Sequence, residues 1–96
     1  MTCFIVGNVA IHDRERYRLY EADFMPILQR FGGRVVAVSD APEPLEGDWG
    51  PGRLVILSFD SQDAARVWMI SPEYQAIAQH RFVAADATIV MADGLG

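Results

Sequence analysis

Three tyrosines, a tryptophan and one arginine carry most of the chemistry that this sequence offers. Tyr17 and Tyr20 stand three residues apart, and Tyr74 stands seven before Arg81. At 3.6 residues per turn, each pair shares one face of a helix. A guanidinium on an apolar helix face has two bland uses. Its stem can lean out to water, or its head can pair with a carboxylate, for which Glu46 and Asp86 are candidates. Its functional use is to anchor an anionic ligand. The aromatic residues divide in the same way: rings at helical spacing build cores, yet buried hydroxyl and indole groups need partners. Tyr17, Tyr20, Phe24, Trp68 and Tyr74, with Arg81 and the polar groups of Asn8 and His80, could line a small apolar pocket. Such a pocket, with few convergent polar groups, suits a flat, weakly acidic or carbonyl-bearing organic molecule. In a catalytic version Arg81 polarises a substrate oxygen while His80 or a tyrosine moves a proton.

Other chemistries find little support. His12 and His80 are the only histidines and belong to no ligand motif, so no metal is expected, and no other cofactor is called for. Gly32-Gly33 ends a helical pattern and is a cap; it is not a phosphate loop opening a helix. Cys3 lies in a strand pattern with no basic neighbour to lower its pKa, which reads as a buried inert thiol. A single cysteine excludes an internal disulfide and fits a reducing compartment. The net charge is −5, and all eight basic residues are arginines scattered along the chain, so nucleic acid and anionic membrane surfaces are poor partners. The first residues, MTCFIVGNVAIHD, lack a basic leader region, and no apolar run approaches the roughly 20 residues of a membrane span. A soluble cytoplasmic protein is the expectation.

The elements that position these residues follow from pattern. Thr2–Ile11 and Leu54–Phe59 are apolar on both faces and read as strands, with Arg34–Ser39 and Ala87–Ala92 as two more. Helical spacing runs from Arg14 to Phe31 behind an Asp13 cap, with Pro26 expected to bend it near Ala22–Met25. Asp60 and Ser61 supply caps for a helix carrying Ala64, Ala65, Val67, Trp68 and Met69. Ser71-Pro72 starts another, with Ser71 as cap and Pro72 at the first position, where its missing N–H costs nothing. Residues 40–52 form a proline- and glycine-rich loop holding Trp49, read as a lid on the core, with room for a short edge strand at Pro44–Glu46. The tail from Asp93 to Gly96 should fray.

The order is β-α-β-β-α-β within one domain spanning residues 1–96, a ferredoxin-like α+β arrangement with a four-stranded antiparallel sheet and its helices on one face. Helices on one face leave the other uncovered. The chain is 51% hydrophobic, and its strands carry apolar residues on both sides, so a second copy packed sheet to sheet is the expected cover. The alternative is that a bend in the sheet or the proline-rich loop covers that face.

Several of these residues together resemble a known family. Tyr17 and Tyr20, Phe31-Gly32-Gly33, Leu45-Glu46-Gly47, the run from Phe59 to Tyr74 with Trp68 and Ser71-Pro72-Glu73-Tyr74-Gln75, and Arg81 resemble the DUF1330 family across nearly the whole chain. The resemblance implies a dimeric α+β barrel, in a superfamily similar in fold to cofactor-independent monooxygenases, haem-degrading enzymes and muconolactone isomerases. It implies no reaction, because fold alone does not carry one. Three functions stay open: a dimer that binds a small molecule, a cofactor-independent oxygenase or isomerase, and a non-catalytic structural or interaction dimer.

Overall fold

A computed structural model describes residues 1–95. The chain runs β1 (Cys3–Ile11), α1 (Arg14–Arg30), β2 (Arg34–Ser39), β3 (Arg53–Phe59), α2 (Gln62–Ile70), α3 (Pro72–Ala84) and β4 (Ala85–Asp93). The four strands form one antiparallel sheet in the order β2-β3-β1-β4, with β1 and β3 inside. The ferredoxin-like α+β arrangement is therefore present, with its second helix split in two.

The helix ends explain why each helix starts and stops where it does. Asp13 accepts from the Arg16 N–H and caps α1. At the other end Gly32 takes a φ of 80°, its N–H bonds the Gln29 carbonyl, and the Gly33 N–H bonds the Leu28 carbonyl. This paired closure needs a left-handed residue, which glycine supplies without strain. α1 continues through Pro26, and both Pro26 and Ala22 are exposed, so the carbonyl left without an N–H partner lies on the wet side. Ser71 serves two helices at once. Its Oγ donates to the Trp68 carbonyl at 2.7 Å and accepts from the Tyr74 N–H at 3.1 Å. The Gln75 side chain also donates to the Met69 carbonyl at 2.6 Å.

Strand register assigns every side chain to a face. Ile5 pairs with Leu57 and Met91, Gly7 with Val55 and Ile89, and Val9 with Arg53 and Ala87. These face the helices, and Cys3, Ile5, Gly7 and Val9 are all buried there. Phe4, Val6, Asn8 and Ala10 point the other way, beside Ser58, Ile56 and Leu54 on one flank and Ala92, Val90, Thr88 and Asp86 on the other. The open face is less greasy than uniform apolar strands would make it. Its large apolar residues are Phe4, Val6, Leu54, Ile56 and Val90, whereas the outer strands add Arg34, Ser39, Thr88 and Asp86.

Residues 40–52 form no strand. Pro44–Glu46 stays outside the sheet, Leu45 is 88% exposed, and prolines at positions 42 and 44 have no N–H to offer a ladder. The loop instead reaches the open face at one end, where Asn8 Nδ2 donates to the Trp49 carbonyl. A Cβ on Gly52 would fall on Asn8 Oδ1, so the close approach of strand and loop requires glycine there. At the C-terminal end β4 runs to Asp93 and the Gly94 N–H bonds the Thr2 carbonyl at 2.7 Å, so the expected fraying is not seen through Gly94. The expectation for Gly96 lies outside the described residues.

Ser71→Ala removes both Oγ bonds at the α2–α3 joint and should lower stability by about 1–2 kcal/mol. Chemical denaturation followed by circular dichroism checks this, with the loss appearing in the midpoint and the m-value unchanged.

Candidate functional site

The helices do not seal onto their sheet face. A cavity of about 370 Å³ separates them, within the range of about 300–1,000 Å³ typical of small-molecule pockets. Its floor is the middle of the sheet: Ile5, Gly7 and Val9 of β1, Val55 and Leu57 of β3, and Ile89 of β4. Its roof is aromatic. Tyr17, Tyr20 and Phe24 come from α1, Trp68 from α2 and Tyr74 from α3.

The roof is one connected set of rings. Tyr17 and Tyr20 lie with centroids 5.3 Å apart, Tyr20 and Phe24 likewise 5.3 Å, and Trp68 and Tyr74 4.1 Å. Phe24 and Phe59 flank Trp68 at 6.2 and 5.4 Å. All but the tighter Trp68–Tyr74 contact lie in the range of about 4.5–7 Å at which aromatic pairs attract. The Ser71 joint sets the Trp68–Tyr74 pair, because it fixes where α2 ends and α3 begins.

Arg81 lines the same cavity, one turn and then another along α3 from Tyr74. It is 8% exposed, and among the described residues it has no carboxylate partner. The two ion-pair candidates are corrected by placement. Asp86 pairs with Ala10 and so opens onto the far face of the sheet, and Glu46 sits in the exposed loop. The guanidinium instead rests against rings, 5.8 Å from the Tyr20 centroid and 4.9 Å from Phe82. Burial works against its charge, and the Tyr74 and Tyr20 oxygens beside it more than offset that. Tyr20 and Tyr74 hydroxyls bond each other at 2.9 Å. Burial pushes the Tyr20 phenol well above its usual pKa, reinforced by Tyr74, and burial also raises Tyr17.

Two buried donors remain without a hydrogen-bond partner among the described residues: Trp68 Nε1 and Arg81 Nε. Both belong to residues that line the cavity. Buried polar groups are nearly always paired, and leaving one unpaired costs about 1–3 kcal/mol.

Of the expected site residues, Tyr17, Tyr20, Trp68, Tyr74 and Arg81 converge on the cavity. Asn8 and His80 do not. Asn8 lies on the opposite face of the sheet, one residue out of phase with Gly7, and is bonded to the 40–52 loop. His80 is turned by the 100° helical step from Arg81, and its Nδ1 accepts from Arg16 Nε at 2.7 Å on the α1–α3 seam. It does not line the cavity. Trp49 also stays away, its indole donating to the Gly52 carbonyl within its own loop.

The mouth holds residues that the sequence reading missed. Arg53 lines the cavity and donates to Asp40 at 2.6 Å and to Glu21 at 3.2 Å, with its guanidinium 5.6 Å from the Tyr17 ring centroid. Its hydrogen bond holds the Asp40 carboxyl below the usual range. Glu21 follows Tyr17 by one helical turn, and Arg53 continues the Phe59, Leu57, Val55 alternation by one more step. Both positions were therefore implicit in the periods already in use. Cys3 is buried, and burial raises its pKa, as expected of an inert thiol.

Known proteins bear on this geometry mainly through the fold. The model of a family described as a domain of unknown function, DUF1330, matches residues 2–95. The RPA0582 protein of unknown function from Rhodopseudomonas palustris is similar at 22% identity and a TM-score of 0.81, with 99% of this chain and 83% of that one covered. SnoaB, a cofactor-independent oxygenase from Streptomyces nogalater, is similar at 12% identity and a TM-score of 0.69, covering 99% and 94%. A putative antibiotic biosynthesis monooxygenase from Nitrosomonas europaea is similar at 15% identity and a TM-score of 0.63, covering both chains in full. At such identities the likeness is one of fold alone. Among curated proteins no sequence matches.

The buried phenols give a pH signature. Tyr17 and Tyr20 have folded-state pKa values above the unfolded value of about 10, so the folded chain keeps protons that the unfolded chain has released. Stability from this source should be intact below pH 10 and fall as pH rises beyond it. Ultraviolet titration at pH 10 should show at least two of the three tyrosines still protonated, and the urea midpoint should drop between pH 10 and 11.

Proposed function

The chain belongs to the DUF1330 family, and from that premise we propose that it binds a small, flat organic molecule with one acceptor group, a carboxylate or a carbonyl. The molecule occupies the cavity between helices and sheet. The observation that carries this reading is one apolar cavity roofed by connected rings, with the buried Arg81 in its wall and no carboxylate beside that guanidinium among the described residues. A guanidinium without a carboxylate calls for a ligand that accepts. The aromatic roof calls for a flat body, and the mostly aliphatic floor for an apolar one. Arg81 is the anchor, and Tyr17, Tyr20, Trp68 and Tyr74 are the walls.

A catalytic version rests on the Tyr20–Tyr74 hydroxyl pair beside Arg81 and on the fold shared with SnoaB, a cofactor-independent oxygenase. With His80 outside the cavity lining, proton transfer would fall to those phenols. The Tyr20 phenol is held in its protonated form by burial, which makes it a poor base near neutral pH. Binding without turnover is therefore preferred. Oxygen uptake with an electron-rich phenol or quinol would reverse that preference.

Two copies joining through the open sheet face complete the proposal. Phe4, Val6, Leu54, Ile56 and Val90 line that face, and the loop covers only the end near Asn8. Each would gain part of the about 1.5–3 kcal/mol that full burial of such a side chain gives. A cytoplasmic setting is consistent with the lone buried Cys3 and the scattered arginines.

Arg81→Met keeps the apolar stem and removes the charge. It should weaken binding of an aromatic carboxylate such as 2-naphthoate by about 10–100-fold in calorimetry, and leave the thermal midpoint unchanged or higher. A sharp fall in that midpoint, with wild-type protein binding no carboxylate, would return Arg81 to a structural role. For assembly, wild-type protein at micromolar concentration should sediment at twice the chain's 10.7 kDa. Ile56→Asp should give a folded species of 10.7 kDa. A wild-type monomer would sink the dimer.

A further inference from the structure

Gly7 occupies the centre of β1, an interior strand bonded on both sides. Glycine in a strand interior costs roughly 0.5–1 kcal/mol relative to alanine, so its presence there needs a reason. The usual reasons fail. Its φ is not positive, since Gly32, Gly47 and Gly50 are the glycines that have one. No bulge requires it, because the register on both sides of β1 is unbroken through position 7. No close approach requires it either. A Cβ would meet nothing nearer than Ile89 Cγ1 and Val9 Cγ2, both at the ordinary distance of 3.6 Å. At Gly33 and Gly52, by contrast, a Cβ would collide with Leu28 or Asn8.

What remains is space. Gly7 is buried, faces the helices and lines the cavity. Its neighbours on that floor are Ile5 and Val9 along the strand, and Val55 and Ile89 across it. All four are branched, so Gly7 is a notch in a floor of branched side chains beneath a roof of rings. A strand glycine of this kind marks a place where a ligand approaches the backbone. We infer that Gly7 sets the depth of the cavity, and that the ligand is a flat aromatic monocarboxylate whose ring system lies over the Gly7 backbone. This inference rests on the binding reading given above and adds the residue that decides ligand size.

The test uses the full chain, calorimetric titration with 2-naphthoate and benzoate, and two variants. Wild-type protein should bind 2-naphthoate more tightly than benzoate. Gly7→Val should weaken 2-naphthoate by about 10–100-fold, the effect of overfilling a packed site, and change benzoate less than about threefold. Gly7→Ala should raise the melting temperature by about 2–8 °C while weakening 2-naphthoate. Equal binding of 2-naphthoate by wild type and Gly7→Val would overturn the role of Gly7 and leave the cavity as a binding site. A lower melting temperature for Gly7→Ala would show that the backbone demands glycine and would overturn that role too. Wild-type protein that binds neither acid would overturn the cavity reading, and this inference with it.

Discussion

A guanidinium held almost wholly out of water, with no carboxylate partner among the described residues, is the constraint around which the rest of this molecule is arranged. Removing a charge from water costs several kcal/mol unless partners replace the solvent. Around Arg81 the partners are not carboxylates but the faces of Tyr20 and Phe82 and the oxygens of the Tyr20–Tyr74 pair. Such partners are weaker than an ion pair and depend on exact placement, so the elements that hold the rings matter as much as the rings. Ser71 fixes Trp68 to Tyr74 by ending one helix and starting the next with a single oxygen. The Arg16–His80 bond ties α1 to α3 one step outside the cavity and keeps Tyr20 against Tyr74. The ring lattice also props the helices away from the sheet, which is why a cavity survives in a chain with so few residues.

Sheet parity divides the chain's work between two surfaces. The odd-numbered residues of β1 belong to the helices and the cavity, and the even-numbered ones to the open face. Adjacent residues therefore have unrelated tasks: Gly7 lines the cavity, while Asn8 fastens a loop. The mouth obeys the same rule. Arg53 reaches the cavity because it shares its parity with Val55 and Leu57, and Asp40 and Glu21 hold it there from the loop and from α1.

Much of this was legible in the residues, and the failures have a common origin. The four strands, the split at Ser71-Pro72, the glycine stop after α1 and the convergence of Tyr17, Tyr20, Trp68, Tyr74 and Arg81 all follow from spacing within one element. Asn8 and His80 were placed in the site because they are polar and stand near the right residues in the chain. Direction decides the matter, and one residue is a reversal in a strand and about 100° in a helix. The opposite error removed Arg53, since a strand begun at Leu54 discards the charged residue that the alternation would have aimed inward. The ionic mouth joins residues from α1, the loop and β3, a meeting that no local period encodes.

The cavity is also a statement about stability. A core of this size could be filled more cheaply by aliphatic residues, since replacing a buried charge with well-packed apolar groups is often neutral or favourable. Here two buried donors lack a partner among the described residues, each worth about 1–3 kcal/mol of penalty, and a strand glycine costs roughly 0.5–1 more. Set against the about 5–15 kcal/mol by which domains of this size are stable, that is a large fraction to forgo. Any ligand that binds only the folded state adds RT ln(1 + [L]/Kd) to stability. At a hundredfold excess over Kd the gain is about 2.7 kcal/mol, the same order as the penalty. On the binding reading proposed above, Gly7 leaves room and Arg81 leaves charge that a single flat carboxylate would meet.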